Sequence, residues 1–122
     1  MFPPSLPEDV KARAFRAHNG EFGLLLTDTT AFLTACRSDK VRVLGWEAWI
    51  VDHRWDLDTN WPVPAPGSWS GGVPVTDQDL PAVITYSGDV DQTERQIASI
   101  DFNKEVRSAW LAHIRVNFTI GD

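Results

Sequence analysis

The most extended apolar pattern of the chain runs through Val41–His53, which has the sequence VRVLGWEAWIVDH. Hydrophobic residues occupy both alternating sides of this run: Val41, Val43, Trp49 and Val51 on one, and Leu44, Trp46, Ala48 and Ile50 on the other. A strand with two apolar sides is covered on both, so we expect it to be the central strand of a sheet. Gly45 predicts a β-bulge that divides the run into 41–44 and 46–53 and shifts the facing of the side chains beyond it.

Two further strands are predicted from shorter patterns. Residues 80–87 are rich in β-branched and aromatic residues and end at a Gly-Asp turn. Residues 114–120 alternate cleanly. Their inward positions are Ile114, Val116, Phe118 and Ile120, and their outward positions are Arg115, Asn117 and Thr119. The second pattern predicts a strand buried on one face, with an open side to its sheet.

Three helices are predicted from apolar stripes at helical spacing. The first begins with Ser5 as its cap and runs to about Ala17, and Gly20 ends the segment. The second covers residues 28–39 and buries Phe32, Ala35 and Cys36. The third covers residues 91–101 and buries Ile97 and Ile100, with a break expected near 102–104.

The order of these elements predicts the fold class. Helices and strands do not alternate strictly, so we expect a single α+β domain over residues 1–122, with a mostly antiparallel sheet of about four to five strands and about three helices packed on it. Residues 54–79 form a long loop rich in Trp, Pro and Gly, with short strands possible at 54–57 and 67–70. Loops of this length inside a compact domain are usually functional or mobile.

Composition limits the class of protein. The chain has 122 residues and a net charge of −6, which argues against nucleic-acid binding because that requires a basic footprint. No apolar run approaches the roughly 20 residues that cross a bilayer. Cys36 is the single cysteine, so no internal disulfide forms, which fits a cytoplasmic protein.

The negative charge is concentrated in the middle of the sequence. Residues 1–54 contain seven acidic and seven basic residues, whereas residues 55–94 contain seven acidic residues and no Lys or Arg. Such a block either keeps the protein soluble or attracts a basic partner over a long range.

Glu47 is the most unusual single residue, because a carboxylate in a strand of large hydrophobic residues must be paired or face a pocket. A structural glutamate would pair with Arg42, Arg115 or a backbone amide, or a bulge would turn it outward. A functional glutamate would act as an acid or base, or bind a basic side chain of a partner. A pocket of this kind would contain Glu47, Trp49 and His53.

The segment after the central strand contains mixed metal-ligand types without a complete motif. Asp56, Asp58 and Asn60 match the first three ligand positions of an EF-hand loop. Trp61 stands where that loop needs glycine, and Gly67 where it needs glutamate. We therefore predict no metal and no cofactor.

No nucleophile or phosphate-binding motif is present. Cys36 lies on the apolar stripe of the second helix, so we interpret it as a core residue rather than as the partner of a histidine. The chain contains no GxSxG, P-loop, GxGxxG or HExxH sequence. The sequence gives no sign of an enzyme.

The loop tryptophans Trp55, Trp61 and Trp69 have three interpretations. They could cover one sheet face, anchor a protein partner within an acidic rim, or stack on a sugar. The candidate partner-binding residues share a position at or just after the central strand. They are Glu47, Asp52, His53, Trp55, Asp56, Asp58 and Trp61.

Three stretches resemble the small immunity proteins of bacterial polymorphic toxin systems. They are His18–Leu24, Val41–Glu47 with its Leu-Gly step at a helix–strand junction, and the closing strand Arg115–Ile120. Trp46 stands where some of those proteins have a second glycine. The resemblance implies a cytoplasmic protein without enzymatic activity that neutralises a cognate toxin, often a basic nuclease. The alternative is a small enzyme or ligand-binding domain.

Overall fold

The computed structural model describes residues 2–16, 20–51, 53–56, 58, 61–64, 84–86, 89–100 and 108–121. Within these ranges the α-helices are α1 (Glu8–Arg13), α2 (Thr29–Ser38) and α3 (Val90–Ser99). The strands are β1 (Phe15–Arg16), β2 (Phe22–Leu25), β3 (Arg42–Ile50), β4 (His53–Asp56), β5 (Trp61–Pro64), β6 (Ile84–Tyr86) and β7 (Ile114–Gly121). Two short 3₁₀ helices cover Leu26–Asp28 and Ser108–His113.

Five of the strands form one antiparallel sheet in the order β1-β2-β7-β3-β6, and β4 and β5 form a separate two-stranded sheet. The predicted central strand is β3, which pairs with β7 along its whole length and with β6 on its other edge. The predicted α+β class, with three helices and an antiparallel sheet, is confirmed. The predicted break near 102–104 and the possible strand at 67–70 lie outside the described residues.

The bulge expected at Gly45 is present, because the pairing of β3 with β7 shifts register between Val43 and Gly45. Val43 lies opposite Ile120, and Trp46 lies opposite Phe118. Directly opposed residues share a sheet face, so Val43 lies on the face of Trp46. Grouping Val43 with Trp49 was therefore wrong, and the bulge is the physical reason.

The helices pack on the face that contains Trp46. Phe32 and Cys36 of α2 are buried in one cluster with Val43. Ile97 of α3 packs against the neighbouring cluster around Trp46. The predicted stripe of α2 is confirmed. On α3 the buried residues are Val90 and Thr93, whereas the predicted Ile97 and Ile100 are only half-buried, and Ile100 lies just beyond the end of the helix.

The first helix is shorter than expected. It ends at Arg13, and Ala14 already has extended backbone angles. Phe15 then pairs with Gly23 in the sheet and packs against Trp49 and Val51. This tertiary contact outweighs the helical propensity of the segment, so the helix ends about one turn earlier than predicted.

The C-terminal end of α2 is fixed by two local interactions. The N–H of Val41 donates to the Cys36 carbonyl at 2.9 Å, and Lys40 has a positive φ of 55°, as in a Schellman motif. The carboxylate of Asp39 accepts hydrogen bonds from the hydroxyl and the backbone N–H of Ser5. These bonds, the hydroxyl first, lower the pKa of Asp39 below its ordinary value.

Asn117 corrects the expected open side of β7. It lies on the face opposite the helices, as the alternation predicted, but only 5% of its surface is exposed. Its amide nitrogen donates to the carbonyl of Phe22 at 2.9 Å. The sheet is therefore covered on both faces at this position, which the polar side chain did not indicate.

Candidate functional site

Most of the predicted contact residues lie in one hairpin, which β4 and β5 form directly after β3. In its backbone register, Asp56 lies opposite Trp61 and Trp55 lies opposite Pro62. His53 begins β4. Asp58 lies in the turn between the strands and is exposed. The predicted contact residue Asp52 lies outside the described residues. Five of the predicted contact positions thus belong to one local unit.

The outer edge of this hairpin is unsuited to pairing with another strand. Pro62 and Pro64 occupy alternate positions of β5, and neither has a backbone N–H. Prolines fit a ladder only where the nitrogen points away from the neighbouring strand. The edge of β5 that faces away from β4 therefore lacks two donors that an added strand would need. Pairing with an added strand is therefore disfavoured at this edge, and we expect a partner to be contacted mainly by side chains.

Glu47 has an internal partner. Its carboxylate is half-buried and accepts a hydrogen bond of 2.7 Å from the indole N–H of Trp49, two residues further along the same strand. The expected partners were Arg42, Arg115 or a backbone amide, and the bond from Trp49 was not anticipated. The geometry favours the structural interpretation of Glu47, because the carboxylate satisfies an indole donor that is otherwise buried.

Trp49 cannot line the alternative pocket that was predicted around Glu47, Trp49 and His53. Only 2% of the surface of Trp49 is exposed, and its ring packs with Val51 and Phe15. A side chain this deeply buried offers almost no surface to a ligand. Glu47 and Trp49 therefore interact with each other inside the fold and do not line a concave site together.

The acidic block of residues 55–94 is partly neutralised within the fold. Arg37 of α2 bonds to Asp91 at 2.7 Å and to Glu94 at 3.1 Å, which joins α2 to α3. Asp89 caps α3 by accepting the N–H of its third residue at 2.7 Å. These three acids have structural partners, so the charge available to a partner protein is smaller than the sequence total.

Another carboxylate with a structural partner lies between α1 and α2. Asp28 is 6% exposed, and Arg13 binds both of its oxygens, at 2.8 and 3.1 Å. Arg13 also reaches Asp9 at 3.3 Å. A buried carboxylate held in this bidentate way stabilises the packing of the two helices and has no oxygen to spare for catalysis.

Cys36 is a core residue, as predicted. Its side chain is fully buried, and burial, followed by the negative charge of Asp39, raises the pKa of the thiol to about 11. The thiol is therefore neutral at pH 7 and a poor nucleophile. Among the described residues, no group of three or more His, Cys, Asp or Glu side chains is placed to bind a metal ion.

A cavity of about 200 Å³, which we call the phenylalanine cavity, opens between β2 and β7. Four rings from distant parts of the sequence line it, namely Phe2, Phe22, Phe32 and Phe118. No local sequence pattern connects these residues, so the cavity could not be predicted from the sequence.

A second, more open cleft of about 300 Å³ lies between α2 and α3. Its lining mixes the basic side chains Arg37, Lys40 and Arg42 with the acidic side chains Asp89 and Asp91. Arg37 is bound to Asp91, so the cleft does not present a uniform charge to a ligand.

Within the part of the chain that the structure describes, no helix has the length and apolar character needed to cross a bilayer. Comparison of the chain with protein-family models, with curated proteins and with solved structures found no match.

Proposed function

We propose that this protein is a cytoplasmic immunity protein that binds a cognate bacterial toxin domain and occludes its active site. The β4–β5 hairpin is the proposed contact surface, with Trp55 and Trp61 as anchors and Asp56 and Asp58 as acidic neighbours. The observation that carries the proposal is the collection of these predicted contact residues in one hairpin with an exposed Asp58 in its turn.

The charge distribution supports a basic partner. Residues 55–94 contain no Lys or Arg, and Asp58 is exposed in the turn of the hairpin. Acidic groups on a contact surface accelerate the encounter with a basic cleft and disfavour acidic competitors. A nuclease-type domain presents such a cleft, because its active site binds phosphate groups.

The proposed mechanism is exclusion of the substrate. Tryptophan contributes disproportionately to interface energy when its ring is buried in a pocket of the partner, and surrounding charges mainly set the association rate and specificity. Pro62 and Pro64 remove backbone donors from the outer edge of the hairpin, which disfavours the addition of a partner strand there. Glu47 is assigned to the fold and not to the contact surface, because its carboxylate is bonded to Trp49.

The test uses the toxin-like C-terminal domain encoded by the reading frame next to that of this protein. Its dissociation constant is measured by calorimetry for the wild-type chain and for the double variant Asp56→Lys, Asp58→Lys. We expect the double variant to bind on the order of tenfold to a hundredfold more weakly, because the reversed charges face a basic surface. Nuclease activity of the domain should return in parallel.

The matched control is the double variant Glu8→Lys, Asp9→Lys, which makes the same charge change on the exposed surface of α1. Its affinity should stay within about threefold of that of the wild type. Equal losses for both double variants would mean that only net charge matters and would refute the hairpin as the contact surface. Absence of binding to any domain encoded nearby would refute the immunity function.

A further inference from the structure

The phenylalanine cavity is lined by aromatic rings that are arranged in two pairs. The rings of Phe32 and Phe118 are stacked with their centroids 4.4 Å apart. The rings of Phe2 and Phe22 lie 4.0 Å apart at an interplanar angle of 35°. Phe32 is buried, whereas the other three rings are half-buried. The face of a phenyl ring is electronegative, so rings grouped around an open cavity favour a positively charged ligand.

One of these rings already has a cation on its face. The guanidinium carbon of Arg16 lies 4.5 Å from the centroid of the Phe22 ring, within the distance of about 6 Å that defines a cation–π contact. Arg16 is exposed and does not line the cavity. The contact shows that the aromatic group attracts positive charge within the fold itself.

The polar side chains of the lining add negative charge at the mouth of the cavity. Among the described residues that line it, Glu21 is the one that carries a charge, and both Glu21 and Thr119 are exposed. Glu21 also interacts within the fold, so it would act on a ligand through its charge and not through a vacant oxygen. The amide nitrogen of Asn117 donates to the Phe22 carbonyl at 2.9 Å, which fixes this side chain beside the rings.

From the combination of aromatic rings and a carboxylate we propose that the phenylalanine cavity binds a small organic cation with a trimethylammonium group. Such a group has an apolar surface and a diffuse positive charge, so it packs on ring faces without needing hydrogen-bond acceptors. A cavity of roughly 150 Å³ admits benzene, and a trimethylammonium group is of similar size, so about 200 Å³ has room for it. The carboxylate of Glu21 would compensate the charge from the mouth.

This site is separate from the proposed toxin-binding hairpin. The cavity is lined by residues 117–120 of β7, which lie opposite the first part of β3. The hairpin follows Ile50 at the other end of β3, where Ile114 lies opposite. Occupation of the cavity and binding of the toxin can therefore be measured independently, and failure of one proposal does not imply failure of the other.

The first experiment compares a cation with its uncharged analogue on the unchanged protein. Choline and 3,3-dimethylbutanol have the same shape and differ in the charged nitrogen, and each is titrated while ¹H–¹⁵N spectra are recorded. Choline should bind about threefold to tenfold more tightly and should shift the signals of Phe22, Leu24 and Thr119. Equal affinities, shifts confined to residues outside the lining, or absence of binding at millimolar choline would overturn the proposal.

Phosphocholine is the third ligand, because the trimethylammonium group also occurs in lipid headgroups. Choline should bind more tightly than phosphocholine, since the added phosphate would lie near the carboxylate of Glu21. Tighter binding of phosphocholine would contradict a free cation as the ligand and identify a lipid headgroup as the source of the same chemistry.

The second experiment removes the charge at the mouth. Glu21→Gln should weaken choline binding about threefold to tenfold and leave the binding of 3,3-dimethylbutanol unchanged. The matched control is Glu8→Gln, which removes the same charge from an exposed residue of α1 outside the lining and should change neither affinity. Equal losses of choline affinity in the two variants would mean that only net charge matters and would refute the site.

The third experiment removes one ring. Phe22→Leu keeps an apolar side chain in the lining, so the preference for choline over 3,3-dimethylbutanol should fall by about half or more. The ratio of the two affinities is the readout, because a merely structural role of the ring would lower both affinities alike, and thermal melting checks that the variant is folded. A folded Phe22→Leu variant with the wild-type preference for choline would contradict binding on the ring faces.

Discussion

The strand β3 and the hairpin that follows it both contain acidic residues and tryptophans, and the carboxylates of Glu47 and Asp58 differ in exposure. In β3, Glu47 is half-buried and accepts the N–H of Trp49, whose side chain is 2% exposed. In the hairpin, Asp58 is exposed in the turn. A carboxylate beside tryptophan is therefore not by itself a binding site, because the carboxylate of Glu47 already accepts the indole N–H of its neighbour within the strand.

The largest difference between the two regions should appear when tryptophans are truncated. Trp46→Ala removes a ring that is 3% exposed and whose N–H donates to Gln96 at 3.0 Å. Its unfolding free energy should fall by about 3–5 kcal/mol. Trp61→Ala in the hairpin should cost less than about 1 kcal/mol if that residue serves a partner. Urea denaturation measures both, and equal losses would place Trp61 in the core.

The packing around Trp49 can be probed from the neighbouring strand. A Cβ atom at Gly23 would lie 2.7 Å from the Arg115 Cβ and 3.0 Å from the Trp49 ring. Gly23→Ala should therefore destabilise the protein by about 1–3 kcal/mol through overpacking.

Gly121→Ala is the control for this substitution, because its new Cβ would meet only the Leu44 side chain, at 3.1 Å or more. Leu44 is 39% exposed and can move, so the cost should be below about 1 kcal/mol. A Gly23→Ala variant as stable as Gly121→Ala in thermal melts would show that Trp49 is packed less tightly than described.

The two carboxylates themselves provide a smaller effect. Glu47→Ala removes the acceptor of a buried indole N–H and should cost about 1–2 kcal/mol. Asp58→Ala changes an exposed turn residue and should stay within about 0.5 kcal/mol of the wild type. Urea midpoints at pH 7 test this directly. If Asp58→Ala were the more destabilising of the two, the assignment of Glu47 to the fold and of Asp58 to the contact surface would be wrong.

The smallest expected effect on stability comes from Asp39, which lies outside both regions. Its pH dependence must be known before the stabilities of variants in the two regions are compared at low pH. The folded-state pKa of Asp39 is lowered by the hydroxyl and then by the N–H of Ser5. Its stabilising contribution is therefore complete above the ordinary carboxyl pKa and is lost as the pH falls through the lower folded value. The stability advantage of the wild type over Ser5→Ala should be constant from about pH 7 to 5 and shrink below about pH 4. An advantage that grows towards low pH would contradict this sign.

Periodicity was sufficient to predict the elements whose stability depends on local pattern. The alternation of residues 114–120 and the stripes on α2 and α3 correspond to observed elements, and Gly45 marks a real bulge. These signals depend on the period of side-chain facing, which one sequence contains. The predicted end of the first helix was wrong because Phe15 gains its contact with Trp49 only in the folded sheet.

Pairings between distant residues could not be predicted. Arg37 binds Asp91 and Glu94 across more than 50 positions, and the Asn117 amide reaches Phe22 across 95. The sequence shows the charge of each group but not which groups the topology brings together. For this reason the sequence overstated the negative charge that residues 55–94 can offer to a partner protein. The phenylalanine cavity was not foreseen for the same reason.

Hydrogen–deuterium exchange of the free protein and of its complex with the toxin domain tests directly whether the hairpin is the contact surface. We expect binding to slow exchange in peptides covering residues 53–64 and to leave the exchange of β3 around Glu47 unchanged. Slower exchange confined to residues 42–50 or to the lining of the phenylalanine cavity, with the hairpin unaffected, would contradict the assignment of the hairpin as the contact surface.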